Sequence, residues 1–265
     1  ETVQFDKSKL LGFVTKLGSS NSHTAILART MNIPAIIGVK GLLSNSLVDK
    51  NAIADGFSGK LYLDPDEDTI RKMEEKLNES KRQKELLQKL RGHESITKDG
   101  RKIELYANIG NVHDTGLALS NDAEGIGLFR SEFLYLEATD YPSEDVQFGA
   151  YKAVLSKMVN KRVVIRTLDI GADKQVDYFH MPKEENPAMG IRAIRICLER
   201  PDIFKTQLRA LYRASIFGKL AIMFPMITSE WEILKILEIV DEVKAELDSE
   251  GISYSPNIEL GCMIE

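Results

Sequence analysis

The segment Gly18-Ser19-Ser20-Asn21-Ser22-His23-Thr24-Ala25-Ile26-Leu27-Ala28-Arg29 sets one imidazole between a run of small polar residues and a helix-forming stretch. Asn and Ser are favoured N-cap types, so the turn ends and a helix begins close to His23. An imidazole there faces unpaired backbone N–H groups and the positive end of the helix dipole, a setting that accepts a phosphate carried on the ring. Two readings follow: a nucleophilic histidine that carries a phosphoryl group, or a histidine that caps or packs a helix start. Three more charged groups end apolar runs: Arg130 after Gly125–Phe129, Arg166 after Val163–Ile165, and Glu265 after Leu260–Ile264. Two guanidinium groups can clamp phosphate oxygens with paired, charge-assisted bonds. A carboxylate beside them can hold Mg2+, which needs few protein ligands when substrate oxygens complete its shell. Each of the three is equally readable as a strand cap paired with a loop charge.

Other candidates carry less. Asn108 ends an apolar run and either faces the same pocket or bonds its own backbone. Asp169, Asp173 and Lys174 follow Arg166 closely and either order it or form solvated ion pairs. Arg192 and Arg195 follow Asn186-Pro187 in a loop that is equally readable as structural. His93, His113 and His180 lack a motif and read as surface or packing residues. Cys262, inside an apolar run, reads as a small buried residue.

The elements that must position these groups are legible in part. Up to about Pro65, short apolar runs alternate with turns: a strand over 10–14, the His23 helix, a strand over 35–39 and a hairpin over 55–63. From Asp66 to about Gly92, Ile70, Met73 and Leu77 share a helical face that Leu86, Leu87 and Leu90 extend, and acidic residues open the run. After Gly100, strands are expected near 103–109, 125–129, 163–166, 220–225 and 258–265, with helices between several of them. Ser229 and Glu232 have capping-box spacing, and Gly251 stops that helix. Repeated strand–helix units imply a parallel sheet in an α/β fold, either doubly wound or a barrel, and the pattern does not choose. In a barrel, active groups stand at the C-terminal ends of strands.

Bulk properties exclude several classes. The 265 residues are 43% hydrophobic and 28% charged, ordinary for a globular protein, with a net charge of −5 from 35 basic and 40 acidic side chains. No basic stripe interleaved with aromatics points to nucleic acid. The apolar runs are strand-length, so no membrane span is expected. The two cysteines have no metal-ligand spacing, which with the absence of a signal peptide suits a reducing cytoplasm. The chain opens on Glu1 rather than Met and reads as a soluble fragment.

Taken in order, several motifs resemble one family. They are Ser22–Arg29 with Ile33-Pro34-Ala35-Ile36-Ile37-Gly38-Val39, Ala123–Leu134 around Gly127-Leu128-Phe129-Arg130-Ser131-Glu132, Arg166–Lys174, Asn186–Arg195, Phe224-Pro225-Met226-Ile227, and the closing Gly261–Glu265. Together they are similar to enzyme I of the bacterial phosphoenolpyruvate:sugar phosphotransferase system, from end to end of the chain. The resemblance implies three regions. Residues 1–65 would be the C-terminal part of a swivelling phosphohistidine domain, 66–98 a linker helix, and 99–265 the N-terminal part of a phosphoenolpyruvate-binding (β/α)8 barrel. A whole barrel takes about 250 residues, and this region supplies roughly 165, so about five of its strands are expected.

The resemblance also assigns roles. His23 would be the phosphorylated catalytic residue, Arg130 and Arg166 would bind phosphoenolpyruvate, and Glu265 would ligate Mg2+. Phosphoryl would pass from His23 to the carrier protein HPr, which docks on a domain outside this chain. The intact enzyme would be a cytoplasmic homodimer, and the fragment alone would be inactive, because the family's Asn-Asp segment, a further arginine and its catalytic cysteine would follow Glu265. Ser19, Asn21, Ala172 and Ile191 depart from the usual glycine, threonine, glycine and tryptophan. The departures at Ser19 and Asn21 leave room for a non-catalytic phosphoenolpyruvate-sensing or dimerisation module. ATP-coupled relatives, pyruvate phosphate dikinase and phosphoenolpyruvate synthase, share the swivelling histidine and barrel.

Overall fold

In a computed structural model of the protein, residues 10–18, 28, 33–39, 47–174 and 176–265 are described. His23, with the helix expected to start there, and the departures at Ser19 and Asn21 lie outside the described residues. The chain divides into two units, Glu1–Leu90 and Arg91–Glu265.

In the first unit β1 (Phe13–Thr15) runs parallel to β2 (Ala35–Ile37), with Phe13 opposite Ala35. Phe13 and Ile36 are buried. β3 (Ala52–Asp55) and β4 (Lys60–Leu63) form an antiparallel hairpin closed through Gly59, whose φ of 68° suits glycine. The hairpin is therefore longer than the 55–63 expected, because the β-branched and small residues before Asp55 supply its first arm. α1 (Glu67–Gln88) starts at Asp66, whose side chain accepts from the Thr69 N–H at 2.8 Å. None of its residues is buried within the unit. What ties it to the hairpin is Asp55, which accepts from Lys76 Nζ and Ser58 Oγ, each at 2.7 Å, and from the Phe57 N–H at 3.0 Å.

The second unit is built on five parallel strands: β5 (Tyr106–Ile109), β6 (Gly125–Arg130), β7 (Arg162–Arg166), β8 (Lys219–Phe224) and β9 (Glu259–Cys262). They lie side by side in chain order, β5-β6-β7-β8-β9. A doubly wound sheet reverses its order at a switch point, and these five strands do not. Between them run α2 (Asp114–Ser120), α3 (Glu132–Leu136), α4 (Glu144–Lys157), α5 (Ile194–Glu199), α6 (Pro201–Ala214) and α7 (Glu230–Ser249).

Val163, Val164, Ile165 and Arg166 of the central strand β7 are all buried, as expected of a parallel strand covered on both faces. Phe204, Gln207, Leu208 and Leu211 form the buried stripe of α6, which packs on α4 and α7. The Ser229–Glu232 capping box is present, and Gly251 follows the helix at φ 68°. β6 comes unusually close to its neighbours. A Cβ on Gly125 would lie 2.6 Å from the Arg162 carbonyl oxygen, and one on Gly127 would lie 2.9 Å from the Tyr106 Cβ.

Two expectations are corrected at the last strand. β9 ends at Cys262, so Glu265 stands three residues beyond the strand rather than at its tip. Cys262 is exposed, not buried, because β9 is the outermost strand of the described sheet and lacks a neighbour on one side. Cys197, by contrast, is wholly buried, and burial pushes its thiol well above the usual range.

Candidate active site

The β6–β7 register sets Arg130 directly opposite Arg166, each the last residue of its strand. Arg166 in turn lies opposite Met223 of β8, and the Met263 N–H donates to the Phe224 carbonyl at 2.9 Å. The C-terminal ends of four neighbouring strands thus converge. Two adjacent guanidinium groups repel one another, so the neighbouring structure must supply negative charge or receive it from a ligand.

Arg166 receives it from protein. Its Nη2 donates to Glu132 Oε1 at 2.6 Å, and its Nη1 lies 3.0 Å from Asp169 Oδ2. Asp169 is shared: its Oδ1 also accepts from Arg192 Nη2 at 2.8 Å and Nε at 3.3 Å. Arg192 continues to Asp173 at 3.3 Å. Burial works against the Arg192 charge, but the Asp169 hydrogen bond and its field outweigh it and raise the guanidinium above its ordinary value. Lys174 Nζ stands 3.6 Å from Glu132 Oε1 and donates to the Asp169 carbonyl at 2.5 Å.

Arg130 is held differently. Its guanidinium carbon lies 4.8 Å from the centre of the Phe133 ring, and its Nε is buried with no hydrogen-bond partner among the described residues. Gly110, just past β5, makes room for this stack. A Cβ there would meet the Phe133 ring at 3.1 Å and Arg130 Nη2 at 3.3 Å.

Behind the strand ends, the buried Gln207 of α6 fixes both loops. Its Oε1 accepts from the Leu168 N–H at 2.8 Å, and its Nε2 donates to Ser131 Oγ and Tyr151 Oη, each at 3.0 Å. Ser131 follows Arg130 and Leu168 stands two residues after Arg166, so one amide sets the spacing of the two arginine-bearing turns. Ala193 contributes a strained link. At φ 50°, ψ −124° it sits outside the regions open to a residue with a Cβ, and its N–H is bonded to the Ile170 carbonyl at 3.0 Å. Gly171 lets Arg192 approach closely, since a Cβ at Gly171 would lie 2.9 Å from the Arg192 Cβ.

Glu265 Oε2 accepts from the Met226 N–H at 2.7 Å, at a turn where Met226 has φ 61°. Among the described residues no group of three or more His, Cys, Asp or Glu is arranged to hold a metal. Mg2+ does not require one. It is held by one or two carboxylates with waters and substrate oxygens, and the exposed Glu265 carboxylate, whose charge is felt by Arg192, fits that donor set.

Of the lesser candidates, Asp169, Asp173, Lys174 and Arg192 join the charged network. Arg195 does not; it donates to the Gly190 carbonyl at 2.5 Å and holds its own loop. Asn108 is exposed at a register shift in β5, and His93, His113 and His180 are exposed. Glu132, Phe133 and Gln207 were not anticipated as contributors. Glu132 and Phe133 follow Arg130 by two and three residues, which is the one signal the sequence offers for them.

Comparison with known proteins agrees with the two-part organisation. A family described as PEP-utilising enzyme, PEP-binding domain, matches residues 84–265, and one described as PEP-utilising enzyme, mobile domain, matches residues 1–59. The chain is 46% identical over all 265 residues to the phosphoenolpyruvate-protein phosphotransferase of Staphylococcus carnosus (strain TM300). It is 45% identical to the proteins of that name from Priestia megaterium and Bacillus subtilis (strain 168). In each case it covers 46% of the relative, so it spans about half the length of the curated relatives it matches.

Proposed function

This chain belongs to the family of phosphoenolpyruvate-utilising enzymes, and from that premise we propose that it serves a phosphoenolpyruvate–protein phosphotransferase. Phosphoryl passes from phosphoenolpyruvate to His23 and onward to a protein acceptor, the HPr carrier in bacterial sugar uptake. The observation that carries this reading is the register match of Arg130 with Arg166 at the C-terminal ends of adjoining parallel strands. The five strands in unreversed order are then the first part of a (β/α)8 barrel, whose active groups stand at this end. In this reading residues 1–65 are the phosphohistidine unit and 66–98 the linker, whose helix spans Glu67–Gln88 and is shorter than expected.

In the proposed reaction Arg130 and Arg166 bind and orient the phosphate oxygens. An unprotonated imidazole nitrogen of His23 attacks phosphorus in line, and the P–O bond to the enolate breaks. Phosphoryl transfer asks little covalent help of the protein, so positioning and charge neutralisation supply the rate. Glu265 would hold Mg2+, which when bound supplies further neutralisation of substrate oxygens. An imidazole with an ordinary pKa of about 6.5 is largely unprotonated at neutral pH, as the attack requires.

The test uses the full-length protein that carries this chain. It is incubated with Mg2+ and phosphoenolpyruvate labelled in the phosphoryl group, without nucleotide, beside a His23→Ala variant. Acid-labile, base-stable label that vanishes in the variant is the expected result. Absence of label on the intact protein would overturn the reading, and a requirement for ATP would assign the chain to a dikinase-type relative.

A further inference from the structure

We propose that Glu132 is a positioning residue that fixes the guanidinium of Arg166 for phosphate binding; this rests on the phosphotransfer reading above. Glu132 is 3% exposed, at the start of α3, two residues past Arg130. A carboxylate is costly to bury unless a cation answers it, and leaving one partner alone is costlier still. Its answer is Arg166 Nη2, 2.6 Å from Oε1. With Asp169 on Nη1, the Arg166 guanidinium is gripped at both η nitrogens, from two different turns. A planar group held at two corners cannot swing about its long side chain. Its ordering cost is therefore met before substrate arrives.

The second oxygen of Glu132 is the telling detail. Among the described residues Oε2 is buried and accepts no hydrogen bond, and the Arg166 Nε is likewise buried without a partner. A carboxylate retained for stability alone would be expected to have both oxygens satisfied. This one spends its bonding on a single corner of Arg166, with Lys174 Nζ more distant at 3.6 Å. Charge works in the opposite direction. A carboxylate beside an anion site repels the incoming phosphate, so on Coulomb grounds alone its removal would tighten binding. Geometry and charge therefore predict opposite outcomes, which makes the role testable.

The experiment compares Glu132→Gln and Glu132→Asp in the full-length protein, reading equilibrium phosphoenolpyruvate binding in the presence of Mg2+, kcat and KM for phosphotransfer, and thermal unfolding. Gln keeps length and an accepting oxygen but drops the charge. Asp keeps the charge but withdraws it from Arg166. The expected pattern is that Gln retains kcat and affinity within a few fold, while Asp loses tenfold or more in kcat/KM without a matching loss of thermal stability. An Arg166→Lys background should abolish the difference between the two variants, since Glu132 acts through that side chain. The reverse pattern, with Asp retained and Gln lost, would overturn the inference, as would losses that simply add to that of Arg166→Lys. Failure of the unsubstituted protein to bind or transfer would instead sink the underlying reading, so the two failures are distinguishable.

Discussion

At the scale of single residues, the site is a chain of alternating charges: Glu132, Arg166, Asp169, Arg192, Asp173. Arg130 stands apart from it on the Phe133 ring. That difference has a consequence for binding. Replacing Arg130 by Ala removes a cation whose buried Nε has no partner to orphan among the described residues. We therefore expect the folded state to survive while phosphoenolpyruvate affinity falls tenfold or more, the loss of a charge-assisted pair being worth about 1.5–3 kcal/mol. Calorimetric titration alongside thermal unfolding checks it, and unchanged affinity would remove Arg130 from the site. Glu132 could not have been singled out from the sequence. It lies within a readable motif, but whether a carboxylate two residues after an arginine faces solvent or a second arginine 34 positions away depends on strand register.

At the scale of elements, β6 is constrained by what it lacks. Gly125 and Gly127 let β5 and β7 approach it closely, and a Cβ at Gly125 would press on the backbone of β7. Backbone cannot rotate aside as a side chain can, so Gly125→Ala should cost about 1–3 kcal/mol by overpacking. The cost should appear as a lower midpoint in urea with an unchanged slope. In the first unit, Asp55 joins the hairpin to α1. Lys76 foremost, then the Ser58 hydroxyl, holds its carboxyl well below the ordinary value of 3.8. A depressed folded-state pKa means the stabilisation is complete above 3.8 and is lost as pH falls below it. Asp55→Asn should therefore lower stability of the hairpin–helix pairing at neutral pH and shrink its acid-induced loss between about pH 4 and pH 2. Circular dichroism of the variant against pH tests this, and an acid limb identical to that of the parent would refute it. The position of each strand was largely legible from apolar runs, whereas their ends were not. β9 stops three residues before Glu265 because strand length is set by pairing with β8 rather than by local hydrophobicity.

At the scale of the whole molecule, the second unit carries a continuous core in which Phe204, Phe129, Ile165 and Leu211 are almost wholly buried. Phe204→Ala should cost about 3–5 kcal/mol. Phosphoenolpyruvate with Mg2+ should raise the unfolding temperature of the full-length protein, since a ligand that binds only the native state adds about 2.7 kcal/mol at a hundredfold excess over Kd. That rise should vanish in the Arg130→Ala variant, and its persistence there would place binding elsewhere.

The sequence by itself determined the strand–helix alternation, the three charged groups after apolar runs, the Ser229–Glu232 cap and the family. Each of these is local, carried by residue type and short spacing. Only the tertiary structure decided that the strands keep chain order, that Arg130 and Arg166 share a register position, that Glu132 and Asp169 grip one guanidinium, and that Gln207 spaces both turns. Apart from the Asp169–Arg166 pair, which is three positions apart, these depend on contacts between residues 34 to 76 positions apart. Period-2 and 3.6-residue patterns specify which face of an element is buried, but not which neighbour it is buried against.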